Sequence, residues 1–235
     1  MTTRFGIIGT GMMGCEHIRN LAQIDAVDVV AIADPYEASR QAARKACAGR
    51  FHPHCYEHYE DLLAREDVDA VVVATPNYTH HAVMAAVFQT DKHVLLEKPL
   101  ATTMADCNAL VAQARRHRGL VWVALEYRYM APIAKTLELL PELGAIQMCA
   151  IREHRFPFLH KVGAWNRFNR YSGGTLVEKC CHFFDLMNLM VPSTPQRVLA
   201  SGGQNVNHLQ ERYDGEAPDI LDIAPPSGAD DWQPR

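Results

Sequence analysis

Apolar residues in the first half of the chain come in short, nearly unbroken runs: 4–9 reads RFGIIG, 27–34 VDVVAIAD, 68–76 VDAVVVATP, 92–99 KHVLLEKP and 119–126 GLVWVALE. Between them, 12–23, 36–48, 80–89 and 104–117 carry helical spacing or strong helix formers. Runs without polar alternation predict strands buried on both faces, and the intervening segments predict the helices that cover those faces. The pattern therefore predicts an α/β fold with a doubly wound parallel sheet.

The turn after the first run is GTGMMG, residues Gly9, Thr10, Gly11, Met12, Met13 and Gly14. In its G-x-G-x-x-G spacing the first glycine permits a tight turn, the second a close backbone approach to a pyrophosphate, and the third contact between helix and strand. Phosphates would then sit on a helix N-terminus, where free N–H groups and the dipole favour anions. Asp34, twenty residues beyond Gly14 and ending the second run, completes a dinucleotide-binding fingerprint. The plainer reading is a glycine-rich turn in a ligand-free α/β domain. Asp34 would accept from ribose hydroxyls and repel a 2′-phosphate, which favours NAD. Arg40 could instead turn toward a 2′-phosphate and admit NADP, or remain a solvated charge on its helix.

Ligands of open parallel sheets bind at the carboxyl ends of the strands, so the loops ATPNYTHH (74–81) and LEKPL (96–100) should border the cofactor. Lys98 lies there beside Glu97 and is followed by Pro99. An ammonium next to a reacting C–OH would stabilise alkoxide character as hydride leaves. A surface ion pair between Lys98 and Glu97 is the bland alternative.

Composition narrows the classes. The 235 residues are 48% apolar with a net charge of −4, so there is a sizeable core and no basic surplus for nucleic acid or anionic lipid. No apolar run reaches the roughly 18 residues that suggest a bilayer-spanning helix. The start MTTRFGIIGTGMMGC superficially resembles a lipoprotein signal, but its glycines argue against that reading. Seven cysteines without framework spacing are expected to be reduced thiols, consistent with a cytoplasmic location.

With GTGMMG, ATPNYTH, LEKPL and the later GGTLVEKCCHFFD in this order, the chain resembles the Gfo/Idh/MocA oxidoreductases over about residues 4–222. The resemblance implies an N-terminal Rossmann domain (1–123) and a C-terminal α+β domain (124–222) with an open, largely antiparallel sheet, here incomplete. It also implies hydride transfer between NAD(P) and a hydroxyl or carbonyl of a sugar, cyclitol or related polyol. Lys98 matches the family lysine that contacts cofactor and substrate, and His182 its usual catalytic histidine. Glu178 stands where many members carry an aspartate, and Thr75, Pro76, Asn77 and His80 match the cofactor-lining loop. Relatives imply a homo-oligomer through the C-terminal sheet.

The segment 176–190 is expected to be one helix, putting Glu178, His182 and Asp185 on a shared face with Glu178 orienting His182. A core histidine bonded to Glu178 is the alternative. Adjacent helix positions diverge by about 100 degrees, so Cys180, Cys181 and His182 are expected to pack rather than grip a metal. Strands are expected at the start of 146–158 and at 196–203. Tyr129, Trp165 and Arg155 are the expected substrate contacts, with Arg167 and Arg170 nearby, because flat rings and fixed donors suit a polyol. The alternative is a basic loop over the sheet. The last residues, 223–235, read as a flexible tail, which motivates one rival, an inactive shortened paralogue; the other rival is a non-catalytic NAD(H)-binding module.

Overall fold

The computed structural model describes residues 2–154, 161–203 and 209–218. Its centre is a sheet of six parallel strands: β1 (Thr3–Ile8), β2 (Val27–Ala33), β3 (His54–Tyr56), β4 (Ala70–Val73), β5 (His93–Glu97) and β6 (Val121–Ala124), in the order β3-β2-β1-β4-β5-β6. The chain winds outward from β1 to β3, then restarts on the other side of β1 with β4. Register is continuous across this reversal, with Ile8 opposite Ala33 on one side and Val73 on the other. A crevice opens at such a reversal, outside the carboxyl ends of β1 and β4.

Successive strand residues point to opposite faces, and both faces are covered. Ile7, Val29, Ile32 and Val72 pack with Ile18 of α1 (Met12–Leu21) and Ala43 of α2 (Glu37–Ala46). Ile8, Ala31, Val71, Val73 and Leu96 pack with Leu62 of α3 (Tyr59–Leu63), Val83 and Met84 of α4 (His80–Val87), and Leu110 of α5 (Met104–Ala114). Each fully buried aliphatic side chain contributes about 1.5–3 kcal/mol, which explains why the strands read as unbroken apolar runs. The β3–α3 unit has no such run, because its strand is only three residues long with an exposed His54, and the apolar pattern passes over it.

The second half departs from the expected architecture. It contains α6 (Ala131–Leu139), α7 (Asn169–Ser172), α8 (Gly174–Glu178) and α9 (Cys181–Met190). Among the described residues it has no strand: the expected ones at 146–154 and 196–203 are irregular, and the sole pairing is an isolated bridge between Tyr213 and Glu216. The expected largely antiparallel sheet is therefore not seen among the described residues. Most of the 146–154 and 196–203 side chains are exposed, as with Met148, Val198 and Leu199, so neither segment has a layer to pair against. The tail 223–235 lies outside the described residues.

The expected continuous helix over 176–190 is broken. The Thr175 carbonyl accepts from both Lys179 N (3.0 Å) and Cys180 N (3.1 Å), and His182 N turns to Lys179 O instead of Glu178 O. The i→i−5 bond from Cys180 widens one turn and the i→i−3 bond from His182 tightens the next, so α8 ends and α9 starts in a new direction. Glu178 and His182 consequently sit on different helices.

The β1–α1 turn leaves no room for a side chain at Gly14, where a Cβ would lie 2.1 Å from the Gly9 carbonyl oxygen. At Gly6 the added carbon meets only the flexible end of Leu62, at 2.6 Å. Gly14→Ala is expected to destabilise the fold by about 3 kcal/mol, lowering Tm by about 6–12 °C, with Gly6→Ala costing clearly less. Thermal unfolding of the two variants checks the order; equal melting would contradict the close approach.

Candidate functional site

The first part of the site is the β1–α1 turn. Gly9 has φ +85° and its absent Cβ would meet the Ala74 carbonyl at 2.7 Å, so this position serves chain crossing. Gly11 differs: a Cβ there meets nothing within 4 Å, so no protein group demands the glycine. The ten-residue α1 begins beside it with no side-chain cap and no acid in its first turn, which leaves N–H groups available to an anion. Thr10 Oγ1 is buried here without a partner among the described residues. Met12 and Met13 flank the turn with exposed side chains. Open space over Gly11, an uncapped helix and an orphaned hydroxyl fit a dinucleotide pyrophosphate.

Asp34 is buried at the end of β2 and already works for the protein. Its Oδ2 accepts from Thr10 N at 2.8 Å and its Oδ1 from Tyr36 N at 2.9 Å, so it fixes the glycine turn. Each oxygen keeps a lone pair for a ribose hydroxyl. Arg40 is not swung toward the crevice: it donates to Glu37 Oε2 at 2.6 and 3.0 Å and to the Asp34 carbonyl at 2.5 Å.

The strand-end loops are held from inside. His80 has no exposure, with ring nitrogens 2.8 Å from Pro99 O and 3.1 Å from Thr75 O, so it clamps the two loops together and does not line a cofactor surface as expected. Burial pushes its pKa down, and a neutral ring can donate to just one of those carbonyls. Thr75 Oγ1 accepts from Thr79, Pro76 opens the following turn, and buried Asn77 donates to the Ser172 carbonyl at 2.9 Å. Tyr78 and Tyr171 meet with ring centroids 4.9 Å apart and planes tilted by 51°, adding an aromatic contact to the same junction.

Glu97 is not paired with the Lys98 ammonium. Its Oε1 contacts His17 Nε2 of α1 at 2.7 Å, while Oε2 accepts from the Lys98 backbone N–H. Burial pushes the Glu97 pKa up, but His17, Lys98 and that N–H outweigh it and hold the carboxylate below its ordinary range. His17, three residues beyond Gly14, is a contributor that no motif in the sequence marks.

Lys98 reaches across to the second half, its Nζ 3.0 Å from the Glu178 carbonyl oxygen and 4.0 Å from Glu178 Oε1. The helix break frees that carbonyl. His182 opens α9 close to the same ammonium. Its ring is 1% exposed, stacked on Tyr127 with centroids 4.1 Å apart. Burial, then Lys98 and Lys179, push its pKa down to about 4 against the weaker pull of Glu97 and Asp185, so the imidazole is neutral over the ordinary pH range. Nδ1 has no partner among the described residues; Nε2 lies 3.5 Å from Glu126 Oε1.

Two expectations need correction. Glu178 does not orient His182: its carboxylate is buried against Lys161 (3.1 Å) and Lys98, and the carboxylate beside the histidine belongs to Glu126. Asp185 turns instead to Arg128, accepting from its Nε at 2.6 Å. Lys179 is buried and donates to the Tyr127 hydroxyl, with Glu153 at 3.6 Å. None of Glu126, Tyr127, Lys161 or Lys179 has a sequence spacing that marks it, since their meeting depends on the break between α8 and α9.

Of the expected substrate contacts, Tyr129 is 61% exposed beside Trp122 of β6, and the tyrosine at the histidine is Tyr127. Trp165 is half-buried with the Lys161 ammonium 4.4 Å from its ring centroid, so it borders the Glu178 side of the site. Arg155 lies outside the described residues. Arg167 and Arg170 face away into ion pairs with Glu211 and Glu216. Cys180 and Cys181 are half-buried free thiols, and burial pushes Cys181 up to about 11. Among the described residues no three His, Cys, Asp or Glu side chains gather as metal ligands, and no helix is long and apolar enough to cross a membrane.

A family model described as an oxidoreductase family with an NAD-binding Rossmann fold matches residues 3–125, and one for the C-terminal alpha/beta domain of the same family matches 138–223. The 2,7-anhydro-N-acetylneuraminate hydratase of Mediterraneibacter gnavus is 28% identical over 94% of this chain and 57% of its own length. Inositol 2-dehydrogenase of Salmonella typhimurium is 36% identical over 55% of this chain and 38% of its own. The myo-inositol dehydrogenase structure from Lactobacillus casei, in complex with NAD(H) and myo-inositol, matches at 26% identity and TM-score 0.65, covering 82% of this chain and 55% of that one. The chain spans between 38% and 57% of the length of these relatives.

Two outcomes are expected. Gly11→Ala leaves the melting temperature within about 2 °C of wild type, since the methyl meets no protein atom, but weakens NAD binding about tenfold or more in a calorimetric titration. For His182, the unfolded ring takes up a proton near 6.5 and the folded ring near 4, so the unfolded state binds more protons between these values. Its stabilising contribution is present above about pH 6.5 and is lost as pH falls toward 4. Between about pH 7 and pH 5, wild type should lose about 2 kcal/mol more stability than His182→Gln in urea unfolding; equal losses would mean the ring is not held neutral.

Proposed function

Because the chain belongs to the Gfo/Idh/MocA oxidoreductase family by its matches over residues 3–125 and 138–223, we propose that it transfers hydride between NAD and a hydroxyl or carbonyl of a cyclitol, sugar or related polyol. The observation that carries this reading is the meeting of Lys98, from the end of β5, with the α8–α9 break and neutral His182 from the second half. In the oxidative direction His182 Nε2 accepts the hydroxyl proton and the Lys98 ammonium stabilises charge on the oxygen. Glu178 acts through Lys98, holding its ammonium by both backbone carbonyl and carboxylate. Bound NAD would supply the hydride acceptor, its pyrophosphate on the α1 N-terminus and its ribose at Asp34.

The preference for NAD over NADP rests on two carboxylates, Asp34 and Glu37, with Arg40 consumed between them. A 2′-phosphate would meet like charge there. The same reading divides the chain into a dinucleotide domain, 1–123, and a substrate domain, 124–222, that delivers His182, Glu126 and Trp165. The named substrates of the inositol dehydrogenase relatives set the starting panel.

The test is NAD(P)-linked turnover on cyclitols, aldoses and anhydro sugars. Turnover with NAD on at least one of them is expected, with Lys98→Ala and His182→Ala each lowering kcat about 100-fold or more while NAD affinity stays near wild type. Tight NAD binding with no turnover on any polyol would instead identify a non-catalytic cofactor-binding module.

A further inference from the structure

A proton delivered to His182 has no direct way out. The ring is 1% exposed, covered on one face by Tyr127, and Nδ1 is buried without a partner among the described residues. An imidazolium there would also sit near two ammonium groups, Lys98 and Lys179, whose effect outweighs that of Glu97 and Asp185. The proton must therefore leave through Nε2. The group at Nε2 is Glu126, whose Oε1 is 3.5 Å away and whose side chain is 54% exposed. It thus touches the buried ring at one end and water at the other.

We propose that Glu126 is the proton outlet of the site, taking the proton from His182 Nε2 and passing it to solvent. This rests on the hydride-transfer reading above. In oxidation the substrate O–H bond breaks and an Nε2–H bond forms, while the hydride and its electron pair go to NAD. Once the carbonyl product has left Nε2, the Nε2–H bond breaks, a Glu126 O–H bond forms, and the imidazole is neutral again. Glu126 finally gives the proton to water and returns to carboxylate; reduction runs the same path inward. The direction is favourable. Burial and then Glu97 raise the Glu126 pKa above its ordinary 4.5, against its own backbone N–H, Lys98 and Lys179, while that of His182 lies near 4. The proton therefore rests more stably on the glutamate.

The first test needs no substrate. In an NMR titration of the free protein, with His182 assigned through His182→Gln, the His182 ring nitrogens should respond when Glu126 protonates, above the ring's own titration, and Glu126→Gln should abolish that step. His182 shifts unchanged by Glu126→Gln would overturn the proposal. The second test uses NAD and any polyol turned over in the panel above. Glu126→Gln should lower kcat about 100-fold with KM nearly unchanged, and added formate should restore rate in proportion to its concentration. Loss of rate with no formate rescue would make Glu126 a structural contact and also overturn the outlet. A panel without any turnover removes the hydride-transfer reading itself, and the titration still decides whether Glu126 and His182 exchange a proton.

Discussion

One backbone carbonyl holds the site together. In an unbroken helix Glu178 O would accept from His182 N. The break between α8 and α9 sends that N–H to Lys179 and leaves Glu178 O for the Lys98 ammonium, 3.0 Å away. A half-buried cation needs such an acceptor, because its lost hydration is replaced by fixed hydrogen bonds and a nearby carboxylate. One contact thereby satisfies a charge from the sheet, terminates a helix from the second half, and sets the first turn of α9 beside it. Asn77 on Ser172 and Tyr78 on Tyr171 hold the same junction.

The electrostatics follow from that junction. Lys98, Lys161 and Lys179 surround the Glu178 segment, and the acids near them are mostly engaged: Glu178 with Lys161 and Lys98, Asp185 with Arg128, Glu97 with His17. His182 enters this cationic setting with almost no water, so its protonated form is penalised by desolvation and like charge together. A neutral imidazole beside an ammonium suits proton acceptance from an alcohol. The same environment makes the imidazolium a poor resting state and requires a second base, which Glu126 provides.

Much of the first half was legible because its physics is local. Both faces of the sheet are buried, so strands spell themselves as apolar runs, and the turn after β1 needs glycine at Gly14 for its contact with Gly9 in the same turn. The βαβ rule fixes the hand of each crossover but not the strand order, which the apolar runs leave open. The β3–α3 unit escaped because HCY has neither alternation nor a run. Lys98 was readable from its place at a strand end, and His182 through a resemblance. Glu126, Tyr127 and Lys179 were not, because the helical period predicts Glu178 and His182 on one face, and only a shared acceptor at Thr175 turns them apart. Arg167 and Arg170 misled for a related reason: a guanidinium before a glycine pair looks available until its acid, more than 40 residues away, is seen.

The cofactor cradle shows how binding groups can be prepared without being free. Asp34 spends one lone pair on Thr10 and one on Tyr36, so the carboxylate expected to read the ribose first sets the turn that carries the pyrophosphate. Its orientation is therefore locked before any ligand arrives, which lowers the ordering cost of binding. Glu97 does the same on the other side of the crevice, holding the Lys98 backbone with one oxygen and His17 of α1 with the other. The helix that would receive the phosphates and the strand end that presents the ammonium are thus joined through one buried carboxylate. The contacts thus run from α1 through His17 and Glu97 to the Lys98 backbone, and from the Lys98 ammonium to the freed carbonyl of Glu178.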